Sequence, residues 1–463
     1  DLQLFSLLFI LDTGMTGRLC LEIPQSLSLS FAMSLREDRM NRDHLQKAVH
    51  IHLDRVWITL KWIIFAVICG IIAGIIGSLF DIGIELATDL RVSYPWLIYL
   101  LPLGGACIFF YYHLLDGDNS IGTNLVISSI QSGDHIRKRM IPAIFFSSIF
   151  SHLLGASVGR EGAALQLGGS IGYNLGKTFR LPRHNQHVMI MCGMSAVFSA
   201  VFGTPVAAAI FAMEVVSVGI MHYAALVPCV VASFVARGIA IFFFRIPNAG
   251  YPLGNIPEFT LASALPVLGL AVIAGFVSIL ECVSFRKVEV WSERLLANRY
   301  LRAVLLGTIL LLLTLLVGKP TYNSLGIDSI AAAAAGNAPD LLWYSFLLKI
   351  LFTALSLAAG YKGGEIVPTL FIGSALGYAF GSLVGFSPAL CSSVAVGALF
   401  CGVTNSPITS IILCIELFGI RGLPYYVLAI AISYAASSYY GLYSAQKIGY
   451  SKYRSNYINT DAK

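Results

Sequence analysis

This sequence predicts an all-α, polytopic membrane protein built from two related halves. Three observations carry that reading. Of 463 residues, 57% are hydrophobic and only 12% charged, whereas soluble domains carry about 25% charged residues. Apolar runs recur along almost the whole chain, and the mean hydropathy is +0.78. Finally, motifs of the first half return in the second at a nearly constant offset.

The same composition excludes a soluble enzyme, a disordered chain and a disulfide scaffold. The net charge of +6 comes from Lys and Arg in short loops and tails. That is the positive-inside pattern of a membrane protein, and it points to no nucleic-acid partner. The nine cysteines are scattered singly, without CxxC, as small apolar side chains. GYNLGKT at 172–178 is one residue short of a phosphate-binding loop. His184 and His187 have no third ligand type beside them, so neither a metal nor a cofactor is expected.

The chain starts on Asp1, and the apolar patch at 2–11 lacks the positive flank of a signal peptide. Translation starting at Met33 or Met40, with residues 1–32 non-native, accounts for this best; a short amphipathic arm is the alternative. Residues 1–56 are assigned to the cytoplasm. Apolar runs at about 57–80, 97–115, 141–155, 188–203 and 223–244 make a first transmembrane half, 57–245. A connecting segment, 246–261, follows. Runs at 262–285, 303–318, 343–359, 391–404 and 424–440 make the second half, 262–445, before a short cytoplasmic tail, 446–463. Segments at 163–176, 205–220, 367–385 and 407–420 are short or broken by glycine. A straight span needs about 20 apolar residues. Several helices must therefore be tilted, broken or re-entrant, which is tolerated only inside protein or along a wet path. Basic loops at 137–139, 177–183 and 286–302 are assigned to the cytoplasm.

The repeat rests on two matches. Leu165-x-Leu167-Gly168-x-x-Ile171-Gly172 returns as Leu370-x-Ile372-Gly373-x-x-Leu376-Gly377 at an offset of 205. Pro205-Val206 with Glu214 returns as Pro407-Ile408 with Glu416 at an offset of 202. Paired halves with interrupted helices are the pattern of transporters that bind cargo between their repeats.

Four motifs bear on chemistry. Gly159-Arg160-Glu161-Gly162 precedes a small-residue run that can start a helix. A helix start offers unsatisfied N–H groups to an anion. A carboxylate there can take the anion's place and carry a proton; an Arg-Glu pair capping the helix is an equal reading of the residues alone. Lys362-Gly363-Gly364-Glu365-Ile366-Val367-Pro368 is the repeat counterpart, with Glu365 either a cap or a proton carrier, the cap slightly favoured. Thr123 and Asn124, after Ser120-Ile121-Gly122, suit an N-cap. Tyr443, in Gly441-Leu442-Tyr443-Ser444-Ala445, reads by itself as an interfacial belt residue.

Taken together, these residues resemble the CLC family of chloride channels and anion/proton exchangers. GREG at 159–162, the G-x-P run from Gly203 to Glu214, GGxxxP from Gly363 to Pro368 and LYSA at 442–445 stand in the family's order and spacing. The resemblance covers about 55–447. It implies inverted halves, a homodimer in lipid and one anion path per subunit. It makes Glu161 the gating glutamate and Tyr443 the hydroxyl facing the anion. Ile366 and Val367, with Gly162, Ala163 and Ala164, would offer backbone to the anion, and Ile121 and Gly122 fall in the family's GSGIP run. The departures are specific: Ala163 replaces a Pro, Ile121 replaces the anion-binding serine, and Val215 replaces the internal proton glutamate. They look like the fluoride-exporting branch, whose inner glutamate Glu365 matches. That branch differs in turn by a Met at Ile121 and a Thr at Val367. The implied function is transport of chloride or fluoride across the cell (inner) membrane in exchange for protons, with no enzyme activity. The alternative is a passive, voltage-gated-type chloride channel.

Overall fold

The computed structural model describes residues 25–116, 122–254 and 256–463. Most of the stretch expected to be non-native, residues 1–24, lies outside them, as does Ile121. The chain divides into two units, 1–61 and 62–463. Within the first, the described residues belong to the start of a long helix, α1 (Gln25–Ser93), whose side chains at 50–60 are exposed.

The second unit is a bundle of helices. In its first half α2 (Leu101–Asp116), α3 (Thr123–Ser132) and α4 (Met140–Leu154) lead to α5 (Glu161–Thr178), α6 (Arg183–Phe202), α7 (Pro205–Glu214) and α8 (Leu226–Phe242). The second half holds α9 (Leu261–Leu295), α10 (Arg299–Val317), α11 (Ile327–Ala334) and α12 (Ser345–Ala358). It continues with α13 (Ile366–Val384), α14 (Pro388–Thr404), α15 (Pro407–Phe418) and α16 (Leu423–Ala436). The sequence repeat thus becomes a repeat of helices, α5 to α8 matching α13 to α16.

Helix length follows from the breaks. With 10 and 12 residues, α7 and α15 reach only about 15–18 Å at 1.5 Å per residue, against a hydrocarbon core of about 30 Å. Each begins at a proline, which suits a first helical turn and cannot extend the helix backwards. By contrast α9 runs for 35 residues, from a capping box between Thr260 and Ser263 to beyond the basic pair Arg286-Lys287. It overruns the predicted apolar stretch because its charged end needs no apolar surroundings.

The core lies where the repeat lies. Every residue from Val188 to Phe202 in α6 is buried, and so is every residue from Ala389 to Thr404 in α14. A helix that is apolar all round belongs inside a bundle. Small residues permit the contact. A Cβ on Gly168 would collide with the backbone of Gly193, and one on Gly172 with Met189. In the second half Gly377 meets Cys391 in the same way. The outer faces of α2 and α10 expose Leu103, Phe110, Leu114, Leu312 and Leu316, a surface suited to lipid.

The two halves cap one another. The Glu214 carboxylate, at the end of α7, accepts bonds from Ile408 N (3.1 Å), Thr409 N (2.8 Å) and Thr409 Oγ1 (2.6 Å) at the start of α15. In return Glu416 of α15 accepts from Val206 N (3.0 Å) and Ala207 N (2.8 Å) at the start of α7. Each carboxylate satisfies N–H groups that a helix start leaves orphaned. Losing such a cap leaves helix-start donors unpaired, at about 0.5–2 kcal/mol. Glu214→Ala is therefore expected to lower the melting temperature in detergent more than Glu416→Ala, since it strands three donors instead of two. Equal melting temperatures for both variants and the parent would refute the capping role.

One part of the fold departs from expectation. The tail at 446–463 forms strands β2 (Lys447–Tyr450) and β3 (Tyr457–Asp461), antiparallel to each other. β2 also pairs in parallel with β1 (Ser217–Val218), Ser217 opposite Lys447. An all-α reading misses strands this short because so few residues establish no alternation. The sheet fastens the tail to the residues after α7, and Gln446 Nε2 adds bonds to Val215 O and Thr404 O, both 2.8 Å.

Candidate functional site

The site is built from two helix starts. Gly159 and Gly364, in the turns before α5 and α13, form an antiparallel bridge: Gly159 N donates to Gly364 O (2.6 Å) and Gly364 N to Gly159 O (2.7 Å). Only glycine permits the approach, since a Cβ at Gly364 would overlap the backbone of Gly162. The intrahelical ladders begin with Ala164 N bonding Arg160 O in α5 and Thr369 N bonding Glu365 O in α13. The N–H groups of Glu161, Gly162 and Ala163, and of Ile366 and Val367, precede those ladders; Pro368 has none to give. Two positive helix ends thus meet at one place.

Two carboxylates flank the bridge. Glu161 is completely buried, and its Oε2 accepts from Arg160 N at 3.1 Å while its Oε1 has no hydrogen-bond partner. Arg160 reaches Glu161 at only 3.6 Å, its strong pairing being with Asp81 of α1. A simple Arg-Glu cap is therefore not what forms. Glu365 makes no capping bond with its side chain, so the cap favoured from sequence is corrected: a carboxyl in the N-cap position leans instead over Gly162, where an added Cβ would stand 3.2 Å from Glu365 Oε2. Tyr443 is buried, not at a lipid interface, with its hydroxyl unpartnered and within electrostatic reach of both glutamates.

A cavity of about 550 Å³ opens onto Glu365 and Tyr443. Gly122, Asn124, Lys362, Arg286 and Glu289 also line it. Gly122 is the N-cap of α3, and neither Thr123 nor Asn124 acts as the cap expected of them. They tie α3 to other parts of the chain instead. Asn124 Oδ1 accepts from Ala445 N (3.1 Å), and Thr123 Oγ1 accepts from Gln166 Nε2 (3.1 Å). Gly162, Ala163, Ile366 and Val367 are buried in the first turns of their helices.

Sequence reasoning misses three side chains. Asp81 holds Arg160. Lys362 stands in the second glutamate motif without a role of its own there; it lines the cavity, its ammonium 5.3 Å from the centre of the Tyr112 ring. Glu281 of α9 is fully buried beside Thr369 of α13. A lone acid within an apolar run is the available signal for Glu281.

The family model for the voltage gated chloride channel matches residues 104–438. The chain belongs to this family. Among its CLC relatives is a chloride/fluoride channel protein of Pseudomonas syringae pv. tomato, 35% identical over 400 residues that cover 85% of this chain and 88% of that one. An H(+)/Cl(-) exchange transporter ClcA of Vibrio campbellii is 27% identical, over 76% of this chain and 81% of that one. Among solved structures, a CLC-type fluoride/proton antiporter superposes with a TM-score of 0.78 at 29% identity, over 84% of this chain and 98% of that one. A slow cyanobacterial Cl-/H+ antiporter, 22% identical with a TM-score of 0.69, over 81% of this chain and 94% of that one, shares the fold. The polytopic CLC architecture read from the sequence is the one observed.

Proposed function

We propose that this CLC protein exchanges a halide, fluoride or chloride, for protons across the cell membrane, with Glu161 as the gate. The observation that carries this is the meeting of two helix starts at the Gly159–Gly364 bridge, with a carboxylate on each: Glu161 buried and half-satisfied, Glu365 partly exposed in the cavity wall. Helix starts attract an anion; a carboxylate competes for the same N–H groups until a proton neutralises it. Ile366, Val367, Gly162 and Ala163 would give the anion backbone donors, and Tyr443 its hydroxyl. Gly122 lines the approach, and Ile121, by its place in the sequence, removes a hydroxyl that a chloride site would use. The relatives named for fluoride support a fluoride-bearing cargo set. The two halves, 57–245 and 262–445, would together enclose one path.

A passive channel on the same scaffold is favoured by one observation: Val215 is buried and apolar where the family's exchangers carry a proton glutamate. Proteoliposomes distinguish the two. Efflux of fluoride and of chloride is recorded with internal pH, and an antiporter drives protons uphill on a halide gradient. Halide passage with no linked proton movement would establish the channel. The chain is further proposed to pair as a homodimer of independently working subunits. Cross-linking in native-like lipid is expected to trap dimers, and trapping of monomers or trimers alone would end that proposal.

A further inference from the structure

Glu281 has no part in the gate just described, and Val215 leaves the chain without a proton carrier after Glu214. Glu281 sits on α9 within an otherwise apolar stretch, at zero exposure. Its Oε1 accepts from Thr369 Oγ1 at 2.5 Å, and its Oε2 has no partner. That same Thr369 hydroxyl lies 3.0 Å from the backbone oxygen of Glu365. Glu281 and Glu365 interact electrostatically. The next residue, Cys282, lines the cavity that opens onto Glu365, and Arg286 and Glu289 line it further along α9.

We propose that Glu281 is the inner proton-holding residue of this transporter, exchanging a proton with Glu365, the carboxylate that lines the cavity. The inference rests on the antiport reading. An ionised carboxylate seeks several donors, and this one has a single hydroxyl. Such a site suits a carboxyl that holds a proton for part of the cycle. The step balances simply: an O–H bond breaks on Glu281 as one forms on the Glu365 carboxylate, and the negative charge moves the opposite way. The reverse transfer, from a Glu365 carboxyl protonated at the cavity, restores the proton on Glu281. The charged and titratable groups around the pair are Cys282, Arg286 and Glu289 on α9, Lys362 and Tyr443 beside Glu365, and Lys452 of the tail, which acts on Cys282. Thr369 is a positioning residue that holds Glu281 against the start of α13.

The test is the ratio of proton flux to halide flux in proteoliposomes, for the unsubstituted protein, Glu281→Gln and Thr369→Val. Glu281→Gln keeps an acceptor for Thr369 and removes the proton. It is expected to lower proton flux by about a hundredfold, the scale of a positioned acid-base group, and halide flux by far less. A purely structural role would lower both fluxes together. If the unsubstituted protein couples protons and the Gln variant keeps the same ratio, the proposal is overturned while antiport stands. If the unsubstituted protein moves halide without protons, both fail. Should the Gln variant not reconstitute, Thr369→Val decides: a fallen ratio supports the relay, and an unaltered one overturns it.

Discussion

Glu161→Gln is expected to break the link between halide and proton movement. The glutamine has the shape of the protonated acid, so it neither competes with an anion at the α5 start nor carries a proton. The structure makes this substitution unusually clean. Glu161 Oε1 has no hydrogen-bond partner to lose, Oε2 takes its bond from the backbone of Arg160, and the one interaction removed is the 3.6 Å ion pair with Arg160, whose guanidinium keeps Asp81. Proton flux should fall by about a hundredfold or more while halide still passes. A Gln variant that continues to drive protons uphill on a halide gradient would remove Glu161 from the gate.

Gly364→Ala is expected to abolish transport by prying the two helix starts apart. An added Cβ falls on the backbone of Gly162, not on the far end of a yielding side chain. Overpacking of this kind costs about 1–3 kcal/mol, and here the displaced atoms are those proposed to hold the anion. Gly238→Ala on α8 is the control, because its nearest neighbour, Phe242 Cδ2, is 4.0 Å away. Halide efflux and the melting temperature should drop for the first variant and hold for the second. Efflux at the parent's rate from Gly364→Ala would show that the close approach is dispensable.

Much of the fold is legible in the residues themselves. The Gly168 and Gly373 motifs mark helices that meet at backbone distance, and the Pro-Glu pairs mark the short helices of each half. The proline and the two glycines around Glu365 announce a helix start. What stays hidden depends on partners remote in sequence. Nothing near Glu214 reveals that Thr409 receives it, and nothing near Asp81 reveals Arg160. Local rules make Thr123, Asn124 and Glu365 caps, and Tyr443 a belt residue, because capping and lipid interfaces are the commonest local uses of those residue types. Tertiary contacts assign them elsewhere. Glu281 is readable in principle, as an acid in an apolar run, but no repeat or motif singles it out.

The exchanged caps of Glu214 and Glu416 also bear on biosynthesis. The first half leaves the ribosome with the α7 start uncovered, and its cover, Glu416, is made about two hundred residues later. At 5–20 residues per second, that wait lasts roughly ten to forty seconds. During it, the N–H groups of Val206 and Ala207 need a temporary partner, whether water, lipid headgroup or insertion machinery. The first half is therefore not a finished folding unit in the membrane. A chain halted after residue 245 is expected to be a substrate for quality control, and co-expressing the second half as a separate polypeptide should rescue it.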